Sequence, residues 1–149
     1  MRALSITIAI TLLASCACDD STTRNEAMLF IDRFEDVDVD DPLEQRRAAI
    51  ASIRGLALTD ATVIATRDQC VTAHEALIEA EDQHDIARHM LVESSGAGER
   101  EVAPEIAAQI NAAIEHSDEA IARSRELFPR CTRAMSQLER RFPRRGAEH

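Results

Sequence analysis

The chain has 149 residues, with 17 basic residues against 27 acidic ones and a formal net charge of −10. This acidic balance is the opposite of what a general nucleic-acid-binding protein carries, and the absence of Trp and Tyr argues against carbohydrate platforms and aromatic-lined ligand pockets. Alanine is abundant while Gly and Pro number four each, a composition that favours an all-α domain.

The N-terminal segment has the pattern of an export signal. Arg2 gives a positive start, and the apolar run from Ala3 to Leu13 is too short for a permanent membrane-spanning helix. The run ends in Leu13-Ala14-Ser15-Cys16, which resembles the lipobox of bacterial lipoprotein precursors, in which the cysteine is acylated and becomes the first mature residue. The resemblance covers only about the first twenty residues.

This resemblance implies a signal peptide over residues 1–15 and a lipid, such as palmitate, on Cys16. Because Ala17 rather than Asp follows the cysteine, the resemblance also implies attachment to the outer membrane, with the mature domain in the periplasm or at the cell surface. Two alternatives remain open: acylation of Cys18, or ordinary cleavage at Ser15-Cys16-Ala17 followed by secretion. Cys18 could also join two copies of the chain through a disulfide.

The first predicted helix runs from about Thr23 to Phe34, after a polar tether over residues 16–22. The following segment, residues 35–41, breaks the helical period. Its alternating aspartates lack the Gly and Glu that a calcium loop needs. We place the bundle domain at residues 23–142 and a basic tail at residues 143–149.

The second helix is predicted to start with Asp41 as N-cap, Pro42 at its first position and Glu44 three residues after the cap. Its apolar stripe is expected to consist of Leu43, Ile50, Ile53 and Ala57. A third helix, capped by Thr59 or Asp60, should continue to about Glu93. Its apolar residues recur at spacings of three, four and seven: Val63, Ile64, Cys70, Val71, Leu77, Ile78 and Leu91.

The fourth helix is predicted to begin at Pro104, after the strong loop signal of Ser94–Gly98. Pro129 falls inside its pattern and should kink the helix or split it in two. Its apolar stripe is predicted from Ile106, Ile110, Ile114, Ile121, Phe128, Met135 and Leu138.

The spacing of two cysteines predicts how the long helices pair. Cys70 lies about 36 Å of helix before the Ser94 loop, and Cys131 lies about 40 Å after Pro104. An antiparallel hairpin would therefore bring the cysteines together, and an exported protein meets conditions in which disulfides persist. We predict a Cys70–Cys131 disulfide; two buried free thiols are the alternative.

The same register brings acidic and histidine side chains together across the hairpin. The candidate transition-metal ligands are Glu81, His84, Asp85, His116 and Glu119. A di-iron bundle would need a second Glu-x-x-His, which the sequence lacks. A plain polar layer between the helices explains this patch equally well. His74 should face Leu127 and Phe128 as a hydrogen-bonded, half-buried side chain. No cofactor is predicted.

Charge is segregated along the chain. Residues 19–44 hold ten acids and two arginines, whereas residues 123–145 hold eight arginines and two glutamates. These ends could attract each other within the fold. Alternatively, a basic patch could touch an anionic envelope surface; its residues would be Arg140, Arg141, Arg144 and Arg145.

Function is predicted mainly from location and shape. The sequence has no nucleophile elbow, phosphate-binding glycine loop or His-Glu-x-x-His, so we do not expect an enzyme. We expect a lipid-anchored envelope protein whose up-and-down helical bundle acts as an interaction or scaffolding module for another envelope protein. A metal- or small-ligand-binding bundle that uses the His/Glu patch is the alternative.

Overall fold

The computed structural model describes residues 17–95 and 102–144, with side chains from Asp20 onward. It contains four helices: α1 (Ala17–Glu35), α2 (Leu43–Arg54), α3 (Ala61–Ser95) and α4 (Pro104–Arg141). No strand occurs in the two described ranges. The long helices α3 and α4 form an antiparallel hairpin, α2 packs mainly on α3, and α1 contacts the other three helices. The predicted all-α hairpin with two shorter helices packed on it is confirmed.

Several predicted features fall outside the described residues. These are the signal peptide, the lipidation site Cys16, the glycines of the loop between α3 and α4, and Arg145. Within the described ranges, no helix combines the length and the apolar character needed to cross a membrane.

The start of α3 is fixed by Asp60, as predicted. Its carboxylate Oδ1 accepts the backbone N–H groups of Thr62 at 2.8 Å and Val63 at 3.0 Å, which a helix cannot satisfy by itself. Glu26 of α1 in turn accepts the backbone N–H groups of Thr59 and Asp60, both at 2.9 Å. The cap therefore also ties α1 to the start of α3.

The start of α2 differs from the prediction. The N-cap is Pro42 rather than Asp41, and the helix begins at Leu43 without a side-chain capping bond. Asp41 instead accepts a bond from Gln45 Nε2 through its carboxylate and one from Arg46 Nε through its backbone carbonyl. The long side chains of the first turn thus reach back to Asp41, and the predicted capping geometry was wrong by one residue.

The first helix begins earlier than the sequence predicts. Residues 17–22, predicted as a polar tether, are helical and continue into the expected Thr23–Phe34 segment. Directly after these residues, Thr23 is buried and donates a hydrogen bond to Asp60 Oδ2 at 3.2 Å, which ties α1 to the cap of α3. Polar composition alone misled the prediction because tertiary contacts override local propensity.

Pro129 does not split α4, which continues from Pro104 to Arg141. The proline cannot donate to the carbonyl of Arg125, one turn earlier. Both residues are exposed, so water can reach the carbonyl that the proline leaves without a partner. Of the two predicted effects of Pro129, a kink or a split, the split is excluded by the continuous helix.

Cys70 and Cys131 form the predicted disulfide, with a Cα–Cα distance of 4.7 Å. Both cysteines are buried, at 0% and 3% exposure. Farther along the hairpin, buried Ser117 donates its hydroxyl to the carbonyl of Ala80 at 2.8 Å. The two contacts fix the register of α3 against α4.

The main hydrophobic core lies at the end of the hairpin where α1 and α2 cover it. Its largest fully buried side chains include Phe30 and Ile31 of α1 and Val63 and Val71 of α3. From α2, Ile50 and Ile53 are buried as predicted, but Ala57 is exposed beyond the helix end. The neighbouring Leu56 and Leu58 pack on the core in its place.

Candidate functional site

The predicted metal patch is not assembled. Among residues 17–95 and 102–144, no group of three or more His, Cys, Asp or Glu side chains is placed so that it could hold a metal ion. His84, Asp85, His116 and Glu119 are all exposed. Glu81 is the half-buried member, and it is already engaged by an arginine.

That arginine is Arg46, which sequence analysis did not single out. It is 4% exposed, and its guanidinium forms a two-pronged pair with the carboxylate of Glu81, with Nη1 2.9 Å from Oε1. Hydrogen bonding to Glu81 raises the pKa of Arg46, against the opposing effect of burial. Next to it, Arg47 pairs with Asp82 at 2.6 Å. Glu81 of the predicted metal set therefore joins α3 to α2, and the neighbouring Asp82 does the same.

His74 lies where the predicted register places it, against Phe128, but it is more deeply buried than expected. It is 6% exposed, and its ring stands edge-on between Phe34, 5.1 Å away, and Phe128, 5.0 Å away. No described residue hydrogen-bonds to it, so the predicted hydrogen bond is not found there. Burial, and then the charge of Arg46, lowers the pKa of His74 below its usual 6.5.

The basic residues near the C-terminus are partly used within the fold. Arg144 pairs with Asp32 at 3.1 Å and also with Glu35, both on α1. Arg24 of α1 donates to the carbonyl of Pro143. Arg141 lies over the ring of Phe142, with 4.9 Å between the guanidinium carbon and the ring centroid. The two oppositely charged ends of the chain therefore do attract each other.

This leaves Arg140 and Arg141 as exposed members of the predicted basic patch for which no described residue supplies an ion pair, although Arg141 contacts the Phe142 ring. Arg144 is bound to α1, and Arg145 is not described. The structure thus favours the intramolecular interpretation of the charge segregation for Arg144.

A surface with exposed apolar side chains lies at the end of the hairpin opposite to the main core. We define the distal arm as residues 83–95, the last part of α3, and residues 102–119, which lead into α4 and include its first part. The ion pairs between α2 and α3 reach only as far as Glu81 and Asp82. Beyond them, the small buried cluster consists of residues of α3 and α4 alone, Ala87, Ile110 and Ala113, with Met90 packed against it.

The distal arm carries most of the large apolar side chains that the described residues expose. Seven such side chains are exposed, and five belong to the arm: Ile86, Leu91, Val92, Ile106 and Ile114. Their exposure runs from 37% for Ile106 to 65% for Val92. The remaining two, Leu29 and Val39, lie apart on α1 and in the segment after it. A two-helix arm has no third helix to cover these flanks.

A small groove marks one side of the junction between the arm and the core. It encloses about 230 Å³ and is lined by residues of both long helices: Leu77, Ala80, Glu81, His84, Asp85, Ser117 and Ile121. On α3, Leu77, His84 and Leu91 are spaced by seven, and on α4 Ile114 and Ile121 share that spacing. Residues seven apart lie on nearly the same side of a helix, so each of these rows of side chains runs from the groove along its helix.

The arm is also strongly acidic. It contains the six exposed carboxylates of Asp85, Glu93, Glu105, Glu115, Asp118 and Glu119 against the single arginine Arg88, which pairs with Asp85 at 3.1 Å. The sequence did not predict this surface, because hydrophobic periodicity indicates which side of a helix is apolar but not whether another helix covers it. The greater predicted length of α3 and α4 compared with α1 and α2 was the signal in the sequence that could have revealed an uncovered part of the hairpin.

No protein-family model, no curated protein and no solved structure matches the chain, so its function has to be inferred from its own residues.

Proposed function

We propose that this chain is a bacterial lipoprotein of the cell envelope, and that its distal arm binds a basic amphipathic helix of a partner protein. The observation that carries the interaction role is the concentration of exposed apolar side chains on the arm, five of the seven on the described chain. Clustered exposed apolar side chains are typical of surfaces that bind another protein. The role is non-enzymatic, consistent with the lack of catalytic motifs in the sequence.

The chemistry of the partner follows from the surface that it must cover. An amphipathic helix laid along two helices places apolar residues at spacings of three, four and seven, which matches the seven-residue spacing of Ile114 and Ile121. The arm has five more acids than arginines, so a basic flank on that helix would be attracted and an acidic one repelled. Coulombic attraction between exposed groups weakens with salt, and partner binding should weaken likewise.

Envelope location is supported by the lipobox-like segment that ends at Cys16 and by the disulfide, a bond that persists in oxidising compartments. In this arrangement the lipid precedes α1, and α1 packs at the core end of the hairpin. The arm is at the other end, so it would extend away from α1 by roughly 20 Å of helix, at ~1.5 Å per residue.

The test replaces exposed apolar side chains of the arm by polar ones in intact cells. Val92→Gln/Ile114→Gln removes two of them, and Leu29→Gln/Val39→Gln is the matched control, because it changes side chains of similar exposure outside the arm. Each variant is chemically cross-linked in cells, and the linked peptides are identified by mass spectrometry.

We expect one envelope protein to be linked to arm residues through a basic amphipathic segment, with capture reduced about tenfold in the arm variant and unchanged in the control. Equal capture by both variants, or links only to a second copy of the chain, would refute the proposal. Unchanged melting temperatures of the purified variants would show that capture was not lost through unfolding.

A further inference from the structure

A second groove between α3 and α4 lies beside the disulfide, far from the distal arm. It encloses about 360 Å³. One wall comes from α3 and the other from α4, and no residue of α1 or α2 lines it. Its lining residues are Thr62, Ala65, Thr66 and Gln69 on α3, and Arg130, Arg133, Ala134 and Gln137 on α4.

The two arginines of this groove differ from most others in the described chain. Seven arginines pair with carboxylates: Arg46, Arg47, Arg54, Arg67, Arg88, Arg123 and Arg144. Arg130 and Arg133 make no hydrogen bond or ion pair with any residue of ranges 17–95 and 102–144. Glu126 stands one helical turn before Arg130 and does not pair with it.

Two like charges three residues apart lie on the same side of a helix and repel each other. The chain has an excess of acids that could neutralise Arg130 and Arg133, yet no described carboxylate does so. An anion bound between the two guanidinium groups would remove this repulsion. It would also gain charge-assisted hydrogen bonds, which are stronger than neutral ones.

We propose that this groove binds the phosphate group of a small ligand. A carboxylate has two oxygens in one plane, and a single guanidinium can satisfy both of them. The groove offers donors on both walls, namely the guanidinium groups and the Gln137 amide on α4 and the Gln69 amide and Thr62 hydroxyl on α3. A tetrahedral phosphate directs oxygens toward both walls at once, so it uses donors that a carboxylate would leave unpaired.

The phosphate could belong to a free phosphomonoester, which has three terminal oxygens, or to a phospholipid headgroup, whose phosphodiester has two, because both are tetrahedral anions. These sources differ in what is attached to the phosphate. The experiment therefore uses three probes: inorganic phosphate, glycerol 3-phosphate and soluble short-chain phosphatidylglycerol.

Binding of each probe to the purified full chain is measured by isothermal titration calorimetry. The site variant is Arg130→Gln/Arg133→Gln. The matched control is Arg125→Gln/Arg140→Gln, which removes two other exposed arginines of α4 that do not line the groove and have no ion pair to a described residue. Both variants change the net charge by the same amount, so a general electrostatic effect would appear in both.

We expect at least one probe to bind with a dissociation constant of about 1 mM or tighter, and the site variant to bind it about tenfold more weakly while the control is unchanged. Preference for inorganic phosphate and glycerol 3-phosphate would identify a free phosphomonoester, and preference for phosphatidylglycerol would identify a headgroup. Binding of none of the probes, or equal weakening in both variants, would overturn the proposal. Neither result bears on the arm, which this groove does not touch.

Discussion

At the scale of single residues, the buried polar side chains connect the helices. Arg46 binds Glu81, Ser117 binds the carbonyl of Ala80, and Asp60 caps α3 while it accepts a bond from Thr23. His74 differs from these, because it is buried between two phenylalanine rings and no described residue hydrogen-bonds to it. A buried histidine of this kind is stable when neutral and unfavourable when charged.

His74 should therefore make the protein sensitive to acid. Its pKa is lowered in the folded state, so the unfolded chain takes up the proton first as the pH falls through about 6.5. Stability should decrease below that pH, with a slope from this residue of at most about 1.4 kcal/mol per pH unit, until the folded pKa is reached.

His74→Phe should reduce this slope while it keeps aromatic packing against Phe34 and Phe128. Denaturant unfolding at a series of pH values measures the effect, with the exposed His116→Gln as control. An unchanged slope in His74→Phe would show that another group causes the acid sensitivity.

At the scale of elements, the long hairpin depends on contacts between α3 and α4 that lie far apart in sequence. The disulfide closes a segment whose ends are separated by 61 residues, which removes much of the freedom of the unfolded chain. The short helices depend on the hairpin in turn. Helix α2 is bound through arginines to Glu81, Asp82 and Glu75, and α1 through Glu26 and the ion pairs of Arg144.

Removing the disulfide should destabilise the protein strongly. On the chain-entropy model a loop of this length corresponds to about 4 kcal/mol, and measured losses are commonly about 2–4 kcal/mol. Cys70→Ala/Cys131→Ala avoids placing new polar groups in a buried site, and urea unfolding gives the loss. A reducing agent should lower the midpoint of the wild type and leave that of the double variant unchanged. Insensitivity of the wild type, or two titratable thiols in the exported protein, would contradict this role.

At the scale of the whole molecule, two ends with different chemistry are joined by the same pair of helices. One end holds the main core, the disulfide and the groove with Arg130 and Arg133. The other is the acidic, two-helix distal arm with its exposed apolar side chains. This polarity suits a protein held at the membrane near α1 and bound to its partner at the arm, as proposed.

The proposed anchoring depends on one cysteine. Cys16→Ser should abolish incorporation of an alkyne-labelled palmitate and release the protein from the membrane fraction, because the acyl chains supply roughly 0.8 kcal/mol per buried methylene. Cys18→Ser should keep both label and membrane association. Labelling lost only in Cys18→Ser would identify Cys18 as the acylated residue, and labelling in neither parent nor variants would indicate plain secretion.

The sequence by itself determined the helical class, the pairing of Cys70 with Cys131 and the position of His74 against Phe128. These features follow from hydrophobic periodicity and from the fixed rise per helical residue, which together place residues along a hairpin without knowledge of its neighbours. The same reasoning placed Glu81 and His84 in one patch but could not show that Arg46 of α2 would occupy the carboxylate.

Only the tertiary structure decided which surfaces are covered. It extended α1 to Ala17, kept α4 continuous through Pro129, and left the arm and the Arg130/Arg133 groove exposed. Burial and ion pairing depend on contacts between residues distant in sequence, and periodicity within one helix carries no information about them. The proposed binding surfaces could be found only in the tertiary structure, since they are the surfaces that α1 and α2 do not cover.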